Sequence, residues 1–121
     1  MRFDAMAAAV DWLDAYRAGD IEAILEMYAD GAVIECGCGG IKTITGKEAL
    51  RSYWADRLHE FPATVLEDVE PSGDTGAAIL YVTHGETVVA TLQFNRDGRI
   101  ETLRCGPSGQ TSVRRVIRRS A

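Results

Sequence analysis

Two cysteines one residue apart, Cys36 and Cys38, close the stretch MYADGAVIECGCGG at residues 27–40. A thiolate can act as a nucleophile, a metal ligand or half of a disulfide, whereas a thiol can simply line a cavity as a small apolar group. A Cys-x-Cys pair supplies two metal ligands at most, and zinc needs three in an open site or four in a closed one. Cys105 is a third thiol, and by period His59 points to solvent from a helix while His84 sits at a hairpin tip. The ligand set is incomplete, so no metal and no cofactor is expected. A nucleophilic Cys36 needs a neighbouring cation to lower its pKa, and spacing alone places none beside it. The favoured reading is pocket wall. Cys36 acting as base or nucleophile, and a Cys36–Cys105 disulfide under oxidation, are the alternatives.

Acids that might serve as general bases fare no better. Asp14, Glu35 and Asp56 fall on solvent-facing positions by helical or strand period, and Glu86 belongs to a hairpin rim. Among the aromatics, Tyr16, Tyr28, Tyr53 and Trp54 recur at helical spacing, which usually means core packing.

The elements that would carry these residues are legible from period and punctuation. Phe3, Met6, Val10 and Leu13, with Ala5, Ala9, Trp12 and Tyr16 alongside, predict a first helix gripped on two sides and ended by Gly19. Asp20 is placed to cap a second helix carrying Ile21, Ile24, Leu25 and Tyr28, stopped at Asp30-Gly31. A strand is expected over Ala32 to Cys38. A third helix follows a capping-box signal at Thr45–Glu48, with Leu50, Tyr53, Trp54, Leu58 and Phe61 as its buried stripe and Pro62 at its end. Four strands then follow, over 64–70, 76–84, 86–95 and 99–105, separated by PSGDTG, HG and NRDG. Pairing across the hairpin puts Ile79, Tyr81, Thr83, Val88, Ala90, Leu92 and Phe94 on one face, while Leu80, Val82 and Val89 make the other face apolar too. A sheet apolar on both sides needs cover on both, by helices and by a second subunit. Three helices followed by antiparallel strands make an α+β chain.

Length and composition bound the rest. A chain of 121 residues, 46% hydrophobic and 26% charged, is one ordinary globular domain. The net charge of −5 argues against nucleic-acid binding, which needs surplus Lys and Arg. The last eleven residues, TSVRRVIRRSA, hold four arginines and no acid, which leaves −9 on residues 1–110. We therefore divide the chain into a domain at 1–108 and an Arg-rich tail at 109–121. The longest apolar run, Ala5 to Val10, is too short to span a membrane. An odd number of cysteines suits a reducing, cytoplasmic setting.

Three segments carry a family resemblance: GDIEAILEMYADGAVIE (19–35), GKEALRSYW (46–54) and LQFNRDGRIETL (92–103). In order and motif they resemble the ketosteroid isomerase and SnoaL-like branch of the NTF2-like superfamily, from about residue 10 to residue 107. The resemblance implies an NTF2-like, cystatin-like cone, in which three N-terminal helices pack in a curved mixed, mainly antiparallel sheet around an apolar pocket. It also implies homodimers through the outer sheet face. The isomerase uses an Asp base with a Tyr and a protonated Asp as oxyanion donors. Cys36 stands at the position of the base, Trp12 at that of the Tyr, and Ala90 at that of the protonated Asp. A thiol is mostly protonated at neutral pH, an indole cannot relay a proton and alanine can do neither. Steroid isomerisation by that route is not expected.

The resemblance turns Trp12 and Tyr16 into the cone. It makes Tyr28, Cys36, Trp54 and Leu58, with Ala90, Leu92, Leu103 and Cys105, the remaining pocket wall. The function expected is binding of a small apolar molecule, steroid-, polyketide- or terpenoid-like, in contact with the hydroxyls of Tyr16 and Tyr28 and the N–H groups of Trp12 and Trp54. The alternative is an isomerase- or cyclase-like enzyme on a carbonyl substrate, with Cys36 as base and Tyr16, Tyr28 or Trp12 as donor. A non-catalytic dimerisation module is the third. Whether Trp12 and Trp54 line the cone or plug it stays open at this level.

Overall fold

The computed structural model of the chain describes residues 3–36, 42–83 and 85–107, so Cys38, His84 and the Arg-rich tail lie outside the described residues. Helix α1, Ala5–Ala18, starts where the Asp4 carboxylate accepts from the Ala7 N–H at 3.1 Å. It stops at Gly19, whose φ of 71° is the left-handed turn that lets its N–H reach back to the last carbonyls. Of its two apolar stripes, Ala9, Trp12 and Tyr16 are buried together with Leu13. Phe3 and Met6, expected on a gripped face, are exposed instead. The aromatic stripe removes more surface from water when turned inward, and Phe3 still meets Phe94 edge-on at 5.1 Å.

Helix α2, Ile21–Glu26, is capped by Asp20 as expected. It is shorter than its apolar period suggests. Tyr28 is not its last inward residue but the first of strand β1, Tyr28–Cys36. The reason is a competing partner: the Ile100 N–H donates to the Met27 carbonyl at 2.7 Å, and Tyr28 pairs with Ile100. A two-turn helix is marginal by itself, and the strand partner satisfies the same backbone.

Strand β2, Lys42–Thr45, pairs antiparallel with β1 and has no apolar alternation that would have announced it. It also displaces the expected capping box. Thr45 pairs with Val33, so the N-cap of α3, Lys47–Glu60, is Gly46, and no side chain among the described residues caps the helix. Strands β3 (Ala63–Ser72), β4 (Gly76–Thr83), β5 (Glu86–Phe94) and β6 (Ile100–Pro107) complete one sheet in the order β2-β1-β6-β5-β4-β3. Among the described strands only β1 and β6 run parallel. Register shifts in β1, twice in β3, and near Phe94 curve the sheet around the helices. This is the mixed, mainly antiparallel α+β architecture expected. Helix α1 packs against β3 and β4, while α2 bridges α1 and α3.

Thr83 pairs with Glu86, and Gly85 just before Glu86 has φ 77°, as a tight hairpin turn requires. The inner row of Ile79, Tyr81, Thr83, Val88, Ala90, Leu92 and Phe94 is buried throughout. On the other side, Ala78, Leu80 and Val89 form a second small cluster that is already buried within one chain.

Gly76 is tied to a close approach between β4 and β5. A Cβ there would overlap the Gln93 side chain and stand 2.6 Å from the Leu92 carbonyl oxygen. Because that oxygen is backbone, Gly76→Ala should lower stability by about 1–3 kcal/mol in denaturant unfolding. No helix among the described residues is long and apolar enough to cross a membrane.

Candidate functional site

The helices and the inner sheet face bring a group of aromatic rings together at the centre of the fold. Trp12 and Tyr16 come from α1, Tyr53 and Trp54 from α3, Tyr28 from β1 and Tyr81 from β4. Trp12 and Trp54 are each 1% exposed and meet edge-on with centroids 5.8 Å apart. Tyr16 stands 4.9 Å from Trp54 and 5.6 Å from both Trp12 and Tyr81, again edge-on. The two tryptophans therefore fill the middle of the cone, ring against ring.

Their polar edges are largely committed. Trp12 Nε1 donates to the Tyr28 hydroxyl at 3.2 Å. Burial pushes the Tyr28 pKa well above its ordinary value, against the opposing pull of the Trp12 and Trp54 N–H groups. Trp54 Nε1 stands near the same hydroxyl, yet it is buried with no hydrogen-bond acceptor among the described residues. An unsatisfied buried donor costs about 1–3 kcal/mol.

The structure adds a residue that the sequence reading passed over. Arg57 is 5% exposed, deep in the same cluster. Its Nε donates to the Tyr16 hydroxyl at 2.9 Å, and that hydroxyl donates in turn to the Phe61 carbonyl. Its Nη2 reaches the Tyr81 hydroxyl at 3.4 Å. The guanidinium carbon lies 5.9 Å from the ring centre of Tyr16, 6.0 Å from Tyr53 and 5.5 Å from Phe61, within cation–π range. Burial disfavours its charge, but Tyr81, Tyr53, Tyr16 and Cys105 favour it more, and Arg57 stays protonated. Burial likewise raises Tyr16 and Tyr81, with the Arg57 charge opposing. The signal was available: Leu50, Trp54, Arg57 and Phe61 are spaced four, three and four apart, one helix face. An arginine on an apolar stripe is easily passed over because its long stem more often carries the charge out to water.

Cys105 on β6 is a buried thiol, 3.8 Å from the Tyr53 hydroxyl. Ala90 is its register partner on β5 and Cys36 its partner on β1. Ala90, Leu92, Leu103 and Cys105 thus share one buried cluster with Trp12, Tyr16, Tyr28 and Trp54, and half-buried Leu58 packs against it. Asp14, Asp56, Glu86 and His59 are exposed, and half-buried Glu35 pairs with Arg104 at 2.8 Å. No group of three metal-binding side chains occurs among the described residues.

A separate cleft of about 530 Å³ opens between α2, the start of β1 and the start of α3. Leu25, Tyr28, Ala32 and Leu50 form its apolar lining, and charged residues ring it. The Arg51–Glu22 pair at 2.9 Å and the Lys47–Asp30 pair at 3.8 Å join its walls.

A family model for the SnoaL-like domain matches residues 9–105. The chain belongs to the SnoaL-like domain family. Among solved structures, this SnoaL-like chain superposes on the epoxide hydrolase/cyclase-like enzyme SalBIII, described as having a role in pyran ring formation in polyether salinomycin. The TM-score is 0.71 at 18% identity, over 84% of this chain and 88% of that one. A SnoaL-like protein of unknown function from Burkholderia thailandensis superposes at 0.68 with 26% identity, over 84% and 92%. No curated protein matches in sequence. The SnoaL-like domain thus belongs to the NTF2-like superfamily, as its three motif segments suggest.

Proposed function

We propose that this SnoaL-like protein binds a small, mainly apolar molecule bearing a carbonyl or similar oxygen at the surface end of the aromatic cluster, where half-buried Tyr53 and exposed Phe61 flank Arg57, with that oxygen directed to the guanidinium. The observation that carries this reading is the buried guanidinium set among Tyr16, Tyr53, Tyr81 and Cys105. Taking a guanidinium out of water costs several kcal/mol, and a site that binds an oxygen puts the charge to use. Tyr53 is half-buried and Phe61 exposed, so the cluster reaches the surface on their side. The Trp54 N–H, which has no acceptor among the described residues, is a second buried donor in the same group of rings.

Intrinsic tryptophan fluorescence tests the reading directly, because Trp12 and Trp54 belong to the cluster. Steroid, aromatic polyketide and terpenoid ketones should give saturable quenching or a spectral shift. Arg57→Met should weaken binding of a ketone by about 10- to 100-fold, the worth of one charge-assisted hydrogen bond. Binding of the matching hydrocarbon should be unchanged. Equal losses for both ligands would show that Arg57 serves only the packing.

An isomerase- or cyclase-like activity is the second reading, favoured by the same cation, which is suited to stabilise an enolate oxygen. The likeness to SalBIII concerns the fold. Pairing of two copies through the outer sheet face completes the proposal. The Ala78–Leu80–Val89 cluster continues into half-buried Val82 and its exposed register partner Val65, a patch that a second copy would cover.

A further inference from the structure

The cleft between α2, β1 and α3 has a charge pattern of its own. Three acids and three cations line it, and two pairs of them are closed on each other. Arg51 holds Glu22 at 2.9 Å and Lys47 holds Asp30 at 3.8 Å, each pair joining α3 to the opposite wall. Glu26 and Arg99 remain. Neither side chain takes part in an ion pair among the described residues.

The backbone sets these two opposite charges side by side. Glu26 ends α2 just before Met27, and Arg99 stands just before Ile100 at the start of β6. The Ile100 N–H donates to the Met27 carbonyl at 2.7 Å, so the two side chains leave the chain on either side of one hydrogen bond. They face the same cleft and do not close on each other. Beside them Leu25, Tyr28, Ala32 and Leu50 supply apolar wall, and the space of about 530 Å³ is that of a small-molecule site. A ligand with a single charge would meet one of the two side chains as a like charge. A neutral ligand would use neither. A zwitterion with an apolar body answers both charges and the wall together.

We propose that this cleft binds a free α-amino acid with an apolar side chain, its carboxylate on Arg99, its ammonium on Glu26 and its side chain against Leu25, Tyr28 and Leu50. A guanidinium can hold a carboxylate through two parallel hydrogen bonds, which fixes orientation as well as charge. The closed Arg51–Glu22 and Lys47–Asp30 pairs leave Arg99 and Glu26 as the charges open to the ligand. The site is separate from Arg57 and does not depend on the carbonyl reading.

Calorimetric titration of the full chain tests this with four probes: L-phenylalanine, 3-phenylpropionate, 2-phenylethylamine and glycine. The first carries both charges and a ring, and each of the others lacks one of the three. L-Phenylalanine should bind one to one, at least tenfold tighter than any of the others. Arg99→Gln should weaken L-phenylalanine and 3-phenylpropionate about tenfold and leave 2-phenylethylamine unchanged. Glu26→Gln should do the reverse, weakening L-phenylalanine and 2-phenylethylamine and sparing 3-phenylpropionate. Both positions are exposed, so the variants should fold as the parent does. Absence of L-phenylalanine binding would overturn the inference, as would equal affinity for all four probes. So would losses in the two variants that ignore which charge the probe carries. Loss of L-phenylalanine binding in Arg57→Met, with Arg99→Gln unaffected, would move the ligand to the aromatic cluster and overturn the assignment to the cleft.

Discussion

Raising the pH above 10 should unfold this protein steeply, because three of its four tyrosines, Tyr16, Tyr28 and Tyr81, have pKa values raised by burial. A folded-state pKa above the unfolded value of about 10 means that the native state holds its protons longer. The stability tied to those protons is fully present below pH 10. It is lost as the pH rises from there toward the folded values, since only the unfolded chain ionises in that window. Each such tyrosine contributes a slope of about 1.4 kcal/mol per pH unit, so three together approach about 4 kcal/mol per unit. A domain with roughly 5–15 kcal/mol of stability loses a substantial share of it as the pH climbs through that window. Arg57 adds no slope between pH 10 and 12, because its own pKa is also raised and it stays charged in both states. Tyrosinate absorbance should therefore appear together with the loss of near-UV circular dichroism. Ionisation of these three tyrosines near pH 10 in a protein that keeps its near-UV signal would contradict the buried network.

Trp12→Ala should be the most damaging single substitution in the aromatic cluster, costing about 3–5 kcal/mol. Trp12 touches Tyr16, Trp54 and Tyr81 edge-on and donates to Tyr28, so its removal leaves a cavity and leaves the Tyr28 hydroxyl without that donor. In thermal unfolding this corresponds to a midpoint lower by roughly 10–20 °C for a domain of this size. Trp12→Phe keeps a ring and loses the N–H, and should cost nearer 1–2 kcal/mol. The pair of variants separates two pictures of the cone. If Trp12 lined open space, truncating it would cost less than about 1 kcal/mol, because its inner face would have no partners to lose.

Several elements could be read from the chain alone because their signals are local. Gly19 ends α1 through a backbone conformation that other residues rarely adopt, and Asp20 caps α2 through its own carboxylate. The alternation through β4 and β5 separates the inner row from Leu80, Val82 and Val89 because strand side chains alternate whatever the partner strand. The motif segments around Gly19, Gly46 and Arg99 then point to the family and its cone. Of the residues expected on the pocket wall, Trp12, Tyr16, Tyr28, Trp54, Ala90, Leu92, Leu103 and Cys105 share one buried cluster, with Leu58 packed against it, while the Cys36 side chain lies outside what the structure describes.

The rest was decided by partners distant in sequence. Tyr28 left its helix because Ile100, seventy-two residues on, competes for the backbone beside it. Thr45 gave up a capping role because Val33 holds it in a strand. Arg57 shows the difference most clearly: its position on the stripe was visible, but its ionic role was not. An arginine on an apolar face can carry its charge to water unless something inside receives it. Here Tyr16 from the first helix and Tyr81 from the fourth strand do so, together with the rings of Tyr53 and Phe61 from its own helix and its end. Local chemistry, period and capping were the sequence's to determine. Which side chains meet at the centre of the cone, and so where a positive charge can be kept dry, depended on long-range packing.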